Sequence, residues 1–435
     1  MKKLFQILIL ITAFQLQAQN PVPAPKQSKS VLLMNGFLHI GNGKVIENSI
    51  VGFRNGVIDL VGDALVTKID PAKYDTVINI AGKHIYPGFI IPNSTLGLAE
   101  VEAVRATLDF NEVGTINPHV RSLIAFNADS KVNSTMRTNG VMYCQVTPRG
   151  GLISGTSSVV SLDSWNWEDA VLKMDDGVHL NFPKSQSGSS RRGEEEKKEP
   201  AVSQYEIQLN DLKKFFTDSK AYNLNPAKEE KNLRFEAMKG IFNGTQNLYI
   251  HTDYVKDILA AVNLCKEFGI KKIVLVGARD AWKVTKELKA ANASVMINRV
   301  HDLPEKNDDD IDLPYKLAYL LQKDSVLFCL QTAGDQEAPG ARNLPFLAGT
   351  ACAYGLTKEQ ALMSISYNTA KILGVETKAG SVEQNKIATL FVSEGDALDM
   401  RTNKVLYAFI EGRKLNLKNS QEIQYEKYLK KYGVK

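Results

Sequence analysis

Tyr86-Pro-Gly-Phe-Ile-Ile-Pro-Asn-Ser-Thr-Leu-Gly-Leu, residues 86 to 98, enters through Pro87-Gly88 as an apolar run and ends on the short polar side chains Asn93, Ser94 and Thr95. Side chains alternate along a strand, so Asn93 and Thr95 share one face. The stretch therefore reads as a buried strand whose last residues open onto a site. Further along, Leu248-Tyr-Ile-His is followed by Val255, Ile258, Leu259 and Val262 at the spacing of one helical face, a stop at Gly269, and the apolar run Lys272-Ile-Val-Leu-Val. Strand, helix and strand within about thirty residues make a right-handed crossover, which requires a parallel sheet. Repetition of that texture from Pro87 to about Gly374 predicts an α/β chain built as a (β/α)8 barrel.

The flanks read differently. Val31-Leu-Leu-Met-Asn-Gly, Ser49-Ile-Val-Gly-Phe and Val57-Ile-Asp-Leu-Val-Gly are short strand candidates, and Asn55-Gly56 is a hairpin signal because both residues tolerate positive φ. Ala388-Thr-Leu-Phe-Val and Val405-Leu-Tyr-Ala-Phe-Ile repeat the texture near the C-terminus. Neither set can bury a face alone, so pairing into one composite β-sandwich is expected. The predicted organisation is a signal peptide at 1–18, a composite β-sandwich from 19–85 and 375–418, a barrel over 86–374, and a C-terminal helix over 419–435.

Met-Lys-Lys, the apolar run Leu4 to Phe14, and Leu16-Gln17-Ala18 match the three regions of a secretory signal, which implies a periplasmic or secreted protein. A retained N-terminal helix is the alternative. No later stretch is apolar enough to span a membrane. Without Lys2 and Lys3 the chain keeps 51 basic against 48 acidic residues, and no basic stripe with aromatics is present, so nucleic acid is not an expected partner. Cys144, Cys265, Cys329 and Cys352 lie singly in apolar contexts and read as buried free thiols.

The strand at 86–98 resembles the first barrel strand of the amidohydrolase superfamily, whose pattern is Pro-Gly-aliphatic-aliphatic-Asp-x-His-x-His. Here Ile91 stands for the aspartate, and Asn93 and Thr95 for the histidines. Leu96-Gly-Leu-Ala-Glu, Asn117-Pro-His-Val-Arg, Thr147-Pro-Arg-Gly-Gly and Ile153-Ser-Gly-Thr-Ser-Ser resemble segments of the imidazolonepropionase-like branch, and Gly380-Ser-Val-Glu-Gln-Asn-Lys-Ile-Ala-Thr-Leu resembles the family's signature in the β domain. The resemblance implies a composite β domain, a barrel, and hydrolysis of non-peptide C–N bonds at a divalent metal such as zinc. On it, His251 falls on the fifth-strand histidine, Gly277 on the sixth-strand histidine or its neighbour, and Ala333 on the eighth-strand aspartate, with Asp335 two residues on. A zinc site needs about three converging ligands. With six histidines in all and no His-x-His pair, no metal ligand is assigned.

The candidate catalytic residues are thus His251 and Asp335, and the candidate substrate contacts Asn93, Thr95, Thr147 and Arg149. Arg149 sits in the glycine-rich stretch Thr147 to Ser158, which reads as a carboxylate cradle or as a tight turn covering the barrel mouth. Asp335 with Arg342 offers a charge pair, and Trp165 and Trp167 read as packing residues. The polar insert at 184–203 is a disordered spacer or a lid. Tyr425, Tyr428, Leu429 and Tyr432 form a stripe that docks on the chain's own surface or joins a homo-oligomer. Two functions remain open at this stage: an exported hydrolase with an eroded metal site, or a non-catalytic barrel that binds a small molecule or a partner protein.

Overall fold

A computed structural model describes residues 22–185, 203–225, 230–305, 308–334 and 337–433. The signal-peptide reading and most of the charged insert lie outside the described residues. Two sheets organise the rest. The strands are β1 (Val31–His39), β2 (Val45–Arg54), β3 (Val57–Asp63), β4 (Thr76–Asn79), β5 (His84–Pro87), β6 (Phe89–Ser94), β7 (Val141–Val146), β8 (Ile153–Ser161), β9 (Val171–Asn181), β10 (Asn247–Thr252), β11 (Ile273–Gly277), β12 (Ser294–Ile297), β13 (Phe328–Leu330), β14 (Leu390–Ser393), β15 (Val405–Ile410) and β16 (Arg413–Lys414).

The first sheet runs β16-β15-β14-β5-β1-β2-β3, with β4 paired on β1. The two sequence flanks meet where β14 pairs antiparallel with β5, Leu390 opposite Pro87 and Val392 opposite Ile85. Asn55 and Gly56 both take positive φ, 51° and 79°, and turn the β2–β3 hairpin. Leu33, Leu38, Val51, Phe53, Ile85, Leu390 and Phe409 form this sheet's own core. The other face meets the barrel, where Phe391 stacks on Tyr86 and packs edge-on against Phe89 at 5.0 Å.

The second sheet runs β6 to β13 in chain order. Every neighbouring pair is parallel except β7–β8 and β8–β9, so β8 alone runs against the others. The barrel is closed by main chain outside the strands: Ile90 N–H donates to Ile365 O at 3.0 Å and Leu330 N–H to Ser364 O at 3.1 Å. The unit read most clearly from sequence appears as expected. Helix Val255–Phe268 is capped by Gly269 in the left-handed region, and Leu248 pairs in parallel with Ile273.

Cys144, Cys265 and Cys329 are buried free thiols, and Cys352 is half-buried. Trp167 packs against the core, but Trp165 is 65% exposed, because the Asn166 side chain caps the short helix Trp167–Ala170 and leaves Trp165 outside it. Helix Ser420–Tyr432 buries none of its residues, so the tyrosine stripe does not dock on the chain's own surface. No described helix is long and apolar enough to cross a membrane.

A candidate active site at the barrel mouth

The C-terminal ends of the barrel strands surround a cavity of about 840 Å³ lined by Asn93, Thr95, Arg149, His251, Asp253 and Glu337, among others. In a barrel this end carries the chemistry because each strand hands over there to a loop free to vary. Asn93, at the end of β6, takes φ 49° and turns both its carbonyl and its amide toward Arg149. Arg149 donates from Nη1 to Asn93 Oδ1 at 2.8 Å, and from Nη2 to Asn93 O at 2.8 Å and to Glu337 Oε1 and Oε2 at 2.9 and 3.1 Å. Glu337 Oε1 also accepts from Thr95 N–H at 2.7 Å. The Asn93 amide donates to Gln331 Oε1, and Gln331 Nε2 donates to Asn298 Oδ1 at 2.9 Å. The bonds run unbroken from Glu337 through Arg149, Asn93 and Gln331 to Asn298, which fixes these side chains at the mouth.

His251, next to last in β10, is half-buried at the cavity, and its Nε2 lies 3.0 Å from His179 Nδ1. Register explains the meeting: β9 and β10 are parallel and His251 pairs with Asn181, two residues beyond His179 on the same face. Burial pushes His251 down to about 3, with the nearby Arg149 guanidinium adding to the shift. Burial, His251 and Arg149 together hold fully buried His179 well below the ordinary histidine range. Both rings are therefore neutral at physiological pH. Two residues past His251, Asp253 also faces the cavity, and burial raises its carboxyl against the pull of Arg279. Its Oδ1 has no hydrogen-bond partner among the described residues.

The histidine pair makes stability depend on pH. A folded value below the ordinary 6.5 means that the unfolded chain binds more protons, so the contribution is complete above about 6.5 and is lost as pH falls toward 3. Thermal melts between pH 7 and 4 should show a slope reaching about 1.4 kcal/mol per pH unit for each titrating ring, shallower in His251→Gln. Equal slopes in the two proteins would remove this origin.

Of the residues singled out from sequence, Asn93, Thr95, Arg149 and His251 converge on the cavity. Thr147 does not: it is fully buried, its hydroxyl on Gln145 O and its N–H on Ser94 O. Ser154 and Thr156, read as part of a loop, are buried in strand β8. Arg149 is not an open cradle, because Asn93 and Glu337 take both of its terminal nitrogens. Asp335 lies outside the described residues, and with it the Asp335–Arg342 pair. Gly277 and Ala333 do line the cavity. At Gly277, with φ 92°, an added Cβ would fall 2.6 Å from Asp253 Oδ1, so the space that a side chain would need is already filled.

Sequence reasoning passed over His179, Asp253, Arg299 and Glu337. One signal was legible: His251 and Asp253 stand at i and i+2, which strand alternation sends to one face. Nothing marks Glu337, which meets Thr95 and Arg149 only through the fold.

No family model and no curated protein matches the chain at a significant level. Solved structures do. An amidohydrolase from Thermotoga maritima superposes with a TM-score of 0.75 at 25% identity, over 89% of this chain and 99% of that one. The fold is that of the amidohydrolase superfamily. A Xaa-Pro dipeptidase with bound methionine (TM-score 0.54, 12% identity, 89% and 100% covered) and an adenosine deaminase from Xanthomonas campestris with bound zinc (0.52, 13%, 95% and 99%) share the amidohydrolase architecture.

A divalent metal does not fit the described donors at this mouth. Among the described residues no group of three or more His, Cys, Asp or Glu side chains is arranged to hold one. The oxygens of Asn93 and Glu337 face a fixed guanidinium instead. A dication about 5 Å from that charge would be repelled by roughly 7 kcal/mol at an effective dielectric constant near 20.

Proposed function

We propose that this chain is an exported hydrolase of the amidohydrolase type, acting on non-peptide C–N bonds of small, acid-bearing molecules at the barrel mouth. The observation that carries the reading is the convergence of Asp253, neutral His251 and the Arg149 cation on one cavity. The raised Asp253 carboxylate takes the proton of an attacking water as oxygen adds to the carbonyl carbon, and returns it to nitrogen as the C–N bond breaks. Arg149 stabilises the negative charge that develops on the carbonyl oxygen. His251 hydrogen-bonds the substrate as a neutral imidazole. Export follows from the N-terminal pattern of Met1 to Gln19.

Arg299 lines the same cavity beside the Ala333–Gly334 turn and makes no ion pair or hydrogen bond among the described residues. A free, half-buried guanidinium is suited to a ligand carboxylate. Arg299→Ala should raise KM for an acidic substrate by about 10- to 100-fold with kcat little changed.

The test is turnover of a panel of cyclic amides, ureas and N-acyl amino acids, with Asp253→Asn expected to lower kcat by about 100-fold or more. The lack of a described metal-binding group supports a second reading, a barrel that binds without turnover. Heat of binding for an acidic ligand, weakened in Arg299→Ala and accompanied by no product, would favour it.

A further inference from the structure

The three acceptors gathered at the end of β6 are a side-chain amide oxygen, a main-chain carbonyl and a carboxylate: Asn93 Oδ1, Asn93 O and Glu337. Hard metal cations take oxygen ligands of these kinds. Here all three receive hydrogen bonds from one guanidinium. Arg149 is itself largely buried, with 22% of its side chain exposed, and Glu337 keeps 10%. The Asn93 amide orientation is set by Gln331 and Asn298, so its oxygen cannot turn away without breaking that chain. The positive φ of Asn93 is what brings its carbonyl to the same point. The cation's field reaches both histidines of the pair, opposing protonation of His251 and of His179.

We infer that the Arg149 guanidinium is the built-in cation of this barrel mouth and occupies the seat a divalent metal ion would need. Arg149 also figures as the fixed charge in the reaction proposed above, but this inference concerns occupancy of the seat and is read without any substrate. A planar guanidinium suits the seat because it spreads its donors over several separated oxygens, whereas a metal needs them drawn to one centre at close to 2 Å.

The experiment uses the full mature chain. Wild-type protein dialysed against zinc, manganese and then buffer is expected to retain well under one equivalent of either metal. Arg149→Ala is expected to melt at least several degrees lower, and millimolar methylguanidinium, at a concentration that leaves wild type unaffected, to restore most of the loss while zinc and manganese do not. Near-stoichiometric metal in wild-type protein would overturn the inference, and this measurement does not depend on whether the variant folds. Rescue of Arg149→Ala by a divalent metal as good as rescue by methylguanidinium would overturn it too. So would the absence of rescue by either, since the oxygens would then not be a cation seat. A metal-free protein that also fails to hydrolyse any C–N substrate leaves this inference standing and removes only the hydrolase reading.

Discussion

Asp163→Ala is expected to destabilise the protein by about 3 to 5 kcal/mol, the range for stripping one partner from a buried ion pair. Asp163 is 5% exposed and sits between two guanidinium groups. Its Oδ1 accepts from Arg137 and its Oδ2 from Arg413 at 2.8 Å and from Ala24 N–H at 3.0 Å. Arg413 Nη2 also donates to the Asp163 carbonyl at 2.7 Å. Arg137 belongs to helix Lys131–Arg137 packed on the barrel, Arg413 to strand β16 of the other sheet, and Ala24 to the irregular stretch before β1. One carboxylate thus ties three parts of the chain together. Its removal leaves Arg137, 7% exposed and already lowered in affinity for its proton by burial, without a counter-charge. Urea unfolding would measure the loss, and Asp163→Asn should recover part of it by keeping one of the two side-chain acceptors in place. A change under about 1 kcal/mol in Asp163→Ala would show that the clasp contributes little beyond a surface pair.

Asp176→Ala should cost a similar amount, about 3 to 5 kcal/mol, for a different reason. Asp176 is fully buried inside the barrel, and its oxygens accept from Gln145 Nε2 at 2.8 Å, Ser157 Oγ at 2.8 Å and the Tyr249 hydroxyl. Gln145 Oε1 in turn receives Asn93 N–H at 2.9 Å, so the network runs up to the floor of the mouth. Alanine takes the carboxylate acceptor from three buried donors at once, of which Gln145 and Ser157 keep a second partner and the Tyr249 hydroxyl does not. Because Gln145 fixes the Asn93 backbone, the variant should also loosen the Arg149 seat. Chemical denaturation gives the first effect and faster amide exchange at Asn93 the second. Unchanged exchange there would mean that the mouth does not depend on the layer below.

The scaffold was legible because its signals are local. The Phe89–Ser94 strand, the Leu248 to Val276 unit and the Asn55-Gly56 turn each carry their periodicity or dihedral requirement within a few residues, whereas Tyr86 and Pro87, read as part of the same strand, belong to β5 of the other sheet. Apolar runs do not record direction, however, and the reversal of β8 between β7 and β9 was invisible to a reading that counted strand and helix alternation. The substituted positions Asn93, Thr95 and Gly277 were equally plain, as was the placing of His251 at a strand end.

By itself, then, the sequence determined which architecture forms and which residues stand at the ends of its strands, since hydrophobic period and turn chemistry act between near neighbours. Only the tertiary structure decided what those residues do to one another. Arg149 meets Glu337 across 188 positions and Asn93 meets Gln331 across 238, and His179 reaches His251 through the register of two parallel strands. Burial then sets the charge of each group, and burial belongs to the folded whole.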